Sequence, residues 1–439
     1  MKGLKTKLST KLFFKYSHLK STIFIFIFAL IPQESLAVFT QAGSLPKGIS
    51  RMRSIVAFGN NIHSKFNNAG ELDQLFEEKS VQSEILSLVL PEEEQKINSI
   101  INELDKIEPN LSKRLLQLDI EAKPSSDIQI YYFVYQYGLT DKLSIGVGVP
   151  YIQQKITTNF KATLKNGLEK NVLKSTGKIG REINKQIKPL IQKETQNLEE
   201  NVIDSLGYQL KKTYRSQGIG DTFLGARYKV FDNKSSSLST QLNVNLPTST
   251  EKKDFHQLIN TTYSDKQYDI SFGLNYSMKV TPSTVLGYSG TYTFQLHDTQ
   301  KRTVPRLTNK LDVANPRDPE QWNSAVHRNL GDFYSQSFTL KQDLFSNWLS
   351  ISALYNYTHK FSDNYRGSQP EQLNYSALSK NTDQTSHSYD AGLSIDTVQL
   401  YQKKTFPIPL MFRLAYVDTF FGKNIERASR IEGDLSLFF

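Results

Sequence analysis

Hydrophobic and polar residues alternate over much of this chain. Tyr268, Ile270, Phe272, Leu274, Tyr276, Met278 and Val280 share one face of a segment. Asp269, Ser271, Gly273, Asn275, Ser277 and Lys279 share the other. Side chains in a strand point alternately to opposite faces, so this period of two predicts a strand with one apolar and one polar surface. In the last segment, Ile431, Gly433, Leu435, Leu437 and Phe439 oppose Glu432, Asp434 and Ser436. In Leu143 to Ile152, Leu143, Ile145, Val147 and Val149 oppose Ser144, Gly146 and Gly148.

The same pattern predicts twelve strands: 44–60, 127–137, 143–152, 221–231, 238–246, 268–280, 284–296, 333–344, 348–361, 389–397, 410–419 and 429–439. The gaps between them are alternately long and short. An all-β transmembrane barrel of about twelve antiparallel strands, its ends periplasmic, requires that alternation, with short turns on one side and long loops on the other. The closing strand ends on Phe439, through which the barrel-assembly machinery is expected to take up the chain. A secreted β-sandwich would also alternate its faces, but it would not explain the loop asymmetry.

Two stretches break the pattern. Between 63 and 119, Leu72, Leu75, Phe76, Ile85, Leu86 and Val89 recur at helical spacing, and a second run from Ile97 to Leu111 follows Pro91 and three Glu. Between 159 and 217, Leu164, Leu168, Val172, Ile179, Ile183, Ile187 and Leu190 form a stripe close to every fourth residue. Two α-helical insertions are predicted. The first holds 6 Lys and Arg against 12 Asp and Glu, and the second 12 against 6. Opposite charge and unburied apolar stripes predict that they pack together as a cap or descend as a plug. Amphipathic helices lying separately on the membrane surface are the alternative.

Composition narrows the class. The mean hydropathy of -0.45 is too polar for a helical membrane protein. No stretch reaches the roughly 18 to 20 apolar residues of a spanning helix. Six Lys precede the apolar run Thr22 to Ile31, and Ser35, Leu36 and Ala37 follow. This predicts a cleaved signal peptide at 1–37, the barrel at 38–439, and a location in the outer membrane. The run is short for an uncleaved anchor. The formal charge of +10 includes six Lys and one Glu of that segment, so +5 remains for the rest, which does not point to nucleic acid. With no Cys, disulfides and thiolate sites are excluded. The 22 Tyr and 26 Phe suit interfacial girdles in outer-membrane lipid.

On the polar faces, the charges predicted to meet the lumen are Arg51, Arg53, Asp221, Arg227, Lys229, Asp269, Lys279, Asp390, Asp396, Arg413, Glu432 and Asp434. Both signs occur, so they could pair into a network that stiffens the wall or form an eyelet that orients a solute. A lipid-facing hydrolase would need a Ser within reach of a His on the outer wall. None of His63, His256, His297, His327, His359 and His387 has Ser two positions on, and His387 and Ser388 point to opposite faces. No two His stand at ligand spacing, so no metal, cofactor or catalytic residue is expected.

Three segments, YGLTDKLSIGVGVPY (Tyr137 to Tyr151), GIGDTFLGARYKVF (Gly218 to Phe231) and LNVNLPTST (Leu242 to Thr250), carry a resemblance. With SLPKGISRMR (Ser44 to Arg53), they resemble the outer-membrane transporter family named for the meta-cleavage pathway of phenol degradation. The chain has Pro247, Thr248 and Ser249 where that family is expected to show Pro-Thr-Gly. The resemblance implies a barrel and a passive channel for small hydrophobic or aromatic molecules. The alternative is a structural or surface-interaction barrel that displays its charged helices to a partner.

Overall fold

The computed structural model describes residues 44–74, 79–81, 118–164, 213–250, 264–307, 318–322, 324–345 and 348–439, with residues 102, 105, 106 and 109. Twelve strands form the wall. They are β1 (Ser50–Ile62), β2 (Leu118–Gly138), β3 (Leu143–Leu164), β4 (Thr222–Asp232), β5 (Ser236–Leu246) and β6 (Asp269–Thr281). The others are β7 (Thr284–Gln295), β8 (Phe333–Phe345), β9 (Leu349–Lys360), β10 (Gln384–Asp396), β11 (Leu410–Lys423) and β12 (Ser429–Phe438). Each pairs antiparallel with the next, and β12 returns to β1 from Arg51 opposite Phe438 to Gly59 opposite Arg430. The sheet is therefore closed, with no edge left to satisfy in lipid.

Large apolar side chains stand outward on every strand. Phe272, Phe338 and Ile431 are each more than half exposed. Leaving such a side chain in water costs about 1.5–3 kcal/mol relative to burial, so a belt of them around a closed barrel identifies a lipid-facing surface. The inner rows are mostly Ser, Thr, Asn and Gln on β5 to β9, including Ser239, Gln241, Asn243, Ser271, Asn275 and Ser337.

Several predicted bounds move. The first strand begins at Ser50, not Ser44, because Pro46 lacks an amide hydrogen and Gly48 turns the chain at φ 81°. The helical insertion placed at 63–119 begins and ends in strand. Ser64–Phe66 and Leu72–Gln74 form a small sheet with Ile425–Glu426, Lys79–Val81 pairs with β2, and β2 starts at Leu118. The insertion placed at 159–217 narrows likewise, since β3 runs to Leu164 and Thr213–Ile219 pairs back onto it. At 21 and 22 residues, β2 and β3 are about twice the 9–11 residues that cross a bilayer. Beyond the lipid belt neither face need be apolar, so the alternation that marks a membrane strand fades there. The predicted helices and the segment 1–37 lie outside the described residues, apart from the isolated positions 102, 105, 106 and 109.

Two long loops also fold where no strand was predicted. Asp298–Arg302, Ser324–Asn329 and Asn364–Gly367 make a three-stranded sheet at the long-loop end. Its core is Val304, Val326, Leu330, Tyr365, Leu373 and Tyr375. Arg328 is fully buried beside it; Nε and Nη2 donate to Asp298 at 2.7 and 2.6 Å, and Nη2 also donates to the Asp265 carbonyl at 3.0 Å. Burial pushes the Asp265 carboxyl up to about 6, against the pull of Arg328.

Candidate functional site in the barrel lumen

Strand register places the predicted charges. On β1, Arg51 and Arg53 share the inner row with Ala57, because Met52, Val56 and Phe58 take the outer one. Asp434 stands one strand away on β12. Arg53 Nε donates to both its carboxylate oxygens at 3.0 Å and Nη2 to one at 2.7 Å, a fork that spans the seam where the barrel closes. The side chains are only 12% and 20% exposed. On β10 and β11, Asp390 accepts from Arg413, which also reaches Ser352 Oγ at 3.4 Å. The Arg413 guanidinium lies flat on Gly392, where a Cβ would come within 2.7 Å of it.

Other predicted residues have local partners. Glu432 accepts from Arg430 at 2.6 Å. Lys229 meets Asp232 at 3.3 Å. Arg227 donates to Gln241 at 3.0 Å, and Asp269 accepts from Asn245 at 3.2 Å. Three lie apart from the inner rows or at their ends. Asp221 accepts from the Ser249 amide at 3.0 Å and from Ser264 Oγ, and so ties a strand break to the loops above it. Asp396 accepts from the Val398 amide at 2.9 Å in the β10–β11 turn. Lys279 is exposed at the short-turn rim of β6.

That strand break is a bulge. Tyr151 pairs with Ile219, but Gly148 pairs with Phe223, so residues 220–222 oppose only two residues of β3. The extra residue reverses the phase. Inner positions are even-numbered before it, with Tyr214, Ser216 and Gly218, and odd-numbered after it, with Phe223, Gly225 and Arg227.

Sequence reasoning missed Arg430, Lys341 and Asp343, although parity with Glu432 and Ser337 puts them on inner rows. Lys341 and Asp343 pair at 3.3 Å. It also missed an apolar wall inside the barrel. Ile128, Ile130, Tyr132 and Val134 of β2 face inward with Ala57, Ile152 and Phe223 and are all buried. Tyr132 and Phe223 stack with ring centroids 5.5 Å apart. The signal was present as the unbroken run Ile130 to Tyr135, in which the expected polar positions are themselves apolar. On the outer wall, His387 Nδ1 lies 2.7 Å from Tyr355 Oη and His359 Nδ1 lies 3.1 Å from Thr385 Oγ1, among Tyr334, Tyr357, Phe420 and Phe421. Ser388 is buried on the inner row, on the opposite face of the strand from His387.

No family model and no curated protein matches the chain. Solved structures do. The crystal structure of an outer membrane channel from Pseudomonas putida F1 superposes with a TM-score of 0.50, covering 91% of this chain and 98% of that one at 10% identity. A CymD monoaromatic hydrocarbon channel gives 0.32, covering 94% of each chain at 10% identity. The β domain of the Bordetella autotransporter BrkA gives 0.35, covering 89% of this chain and 99% of that one at 7% identity. The first of these shares the barrel fold with this chain along nearly its whole length.

Proposed function

We propose that this protein is a passive channel of the outer membrane for small hydrophobic or aromatic molecules. One observation carries the reading: the lumen has an apolar wall. A water-filled pore is lined by polar side chains. Here Ile128, Ile130, Tyr132, Val134, Ile152 and Phe223 form one inner surface beside the Ser, Asn and Gln rows of β5 to β7. These side chains are themselves buried, so an apolar solute reaches them only by displacing the groups packed over them, and it then regains roughly 25 cal/mol per Å² of apolar area taken out of water. The inner charges line the rest of the path as mutually paired groups, and transport runs down a gradient without coupling to an energy source. Lipid meets the outer belt, and assembly proceeds through β12. The reading assigns the protein no catalytic step and no cofactor.

The folded module at the long-loop end favours a second reading, a barrel that displays that module to a partner. Bilayer recording separates the two. The refolded protein is recorded beside a variant lacking residues 165–212, with uptake of toluene into liposomes measured in parallel. Conductance and toluene uptake in either form support the channel, and an Ile130→Asp substitution is then expected to cut uptake at least fivefold. Silence in both, with the barrel shown to be folded, leaves the display reading in front.

A further inference from the structure

The three-stranded sheet at the long-loop end has an inner face and an exposed one. Gln300, Val326, Arg328 and Tyr365 point inward. Gln300 Nε2 donates to the Asp265 and Lys266 carbonyls at 3.2 Å, and Arg328 Nη2 donates to the first of these at 3.0 Å. Those carbonyls stand at the entry to β6, so the opposite face turns away from the bore.

That opposite face consists of Thr299 and Lys301, of Ala325, His327 and Asn329, and of Asn364 and Arg366, all exposed. None is acidic. Strand register gathers the basic groups around His327, which pairs with Arg366 on one side and Thr299 on the other. Lys301, two residues beyond Thr299, is its diagonal neighbour, at about 7–8 Å. From the other diagonal His297 brings its ring within 5.7 Å of the His327 ring, centroid to centroid. The side chains of Lys301 and Arg366 have no ion pair or hydrogen bond among the described residues. Asp298, next to Thr299, points to the inner face, where Arg328 holds it.

The sheet stands directly above the lipid belt. Tyr268, Phe294, Leu296 and Phe361 are large, exposed and apolar, and the Leu296 amide donates to the Tyr268 carbonyl on the last rung of the wall. His297 is the next residue. Lys301 follows Leu296, and Arg366 follows Phe361, by five residues, a reach of at most about 17 Å. That reach ends in the head-group layer, which begins where the hydrocarbon stops. With the chain ends periplasmic, the long loops meet the outer leaflet, whose lipopolysaccharide carries phosphates on its lipid A and inner core. A guanidinium group binds phosphate bidentately and an ammonium binds it as a point charge, so an exposed basic face without a carboxylate complements that layer.

We propose that Lys301 and Arg366, with His297 and His327 between and beside them, form a docking face for the phosphates of lipopolysaccharide. The lipid anchors the loop module at the membrane surface. The proposal goes beyond the channel reading and is independent of it, because binding is read without transport.

Titration calorimetry on the refolded full-length protein in nonionic detergent would use diphosphoryl lipid A, dephosphorylated lipid A and inorganic phosphate as probes. Diphosphoryl lipid A is expected to bind at least tenfold tighter than either of the others. Lys301→Gln with Arg366→Gln is expected to weaken it about twentyfold, roughly fivefold for each cation lost near an anionic lipid surface. Lys403→Gln with Lys404→Gln, the same charge change on exposed residues of the β10–β11 turn at the other end of the barrel, should leave it unchanged. Heat-modifiable migration on gels confirms that each variant is folded. Lipid A binding that survives Lys301→Gln with Arg366→Gln, or that falls equally in the turn variant, overturns the face. Equal binding of dephosphorylated lipid A overturns recognition of phosphate. Inorganic phosphate bound as tightly as lipid A overturns the lipid as occupant in favour of a free anion.

Discussion

The ring of Phe223 lies directly over Gly148. A Cβ built on that glycine would fall 1.9 Å from the ring, so the two residues occupy one cross-strand position between them. The contact explains why β3 presents Gly146 and Gly148 where a barrel strand would ordinarily present polar side chains: glycine leaves room on the inner wall for a neighbour's large group.

Gly148→Val is therefore expected to expel Phe223 from the Tyr132 stack and to destabilise the barrel by about 1–3 kcal/mol, the usual cost of overpacking. Thermal unfolding in detergent measures this. The double variant Gly148→Val with Phe223→Ala should recover part of the loss, which a general intolerance of change at 148 would not allow.

The seam between β1 and β12 should depend on the Arg53–Asp434 fork. Removing Asp434 takes the fork's carboxylate away from a largely buried guanidinium, so Asp434→Asn is expected to cost about 3 kcal/mol. Replacing both residues by apolar ones of similar volume should cost much less. Urea unfolding of the two variants side by side tests the difference, and equal losses would mean that the pair acts through packing alone.

Glu426 gives the long-loop end a pH dependence. It lies in the small sheet with Ser64–Phe66, its Oε2 is buried without a partner, and burial pushes its carboxyl up to about 7. Because the folded value is raised above the unfolded one, its contribution is most favourable in acid and is lost as pH rises from about 4.5 through 7. Amide protection factors of residues 64–74 and 424–427, which divide out the base-catalysed intrinsic rate, should be higher at pH 5 than at pH 8. Glu426→Gln should flatten the difference, by an amount on the order of 2 kcal/mol.

Much of the wall was legible because lipid imposes a rule on single residues. A strand crossing a bilayer must turn apolar side chains outward at every second position, and Tyr268 to Val280 obeys that rule without exception. Where the constraint stops, so did legibility. The upper halves of β2 and β3 and the strand Thr213–Ile219 stand beyond the lipid belt, and the sheet around Arg328 is held by contacts between residues far apart in the chain. Arg430, Lys341 and Asp343 were missed for want of applying the same parity.

The sequence by itself determined the fold class, the strand sequence and the sidedness of most inner charges, because period two is a property of neighbouring residues. Tertiary structure alone decided which charges meet. Arg53 and Asp434 are 381 residues apart and become neighbours only when β12 closes on β1. It alone decided that the run Ile130 to Tyr135 puts Tyr132 and Val134 against Phe223 inside the barrel. It also decided that one extra residue at 220–222 reverses the inward phase between Gly218 and Phe223. Register across a closed sheet is set by every strand together, so no local pattern contains it.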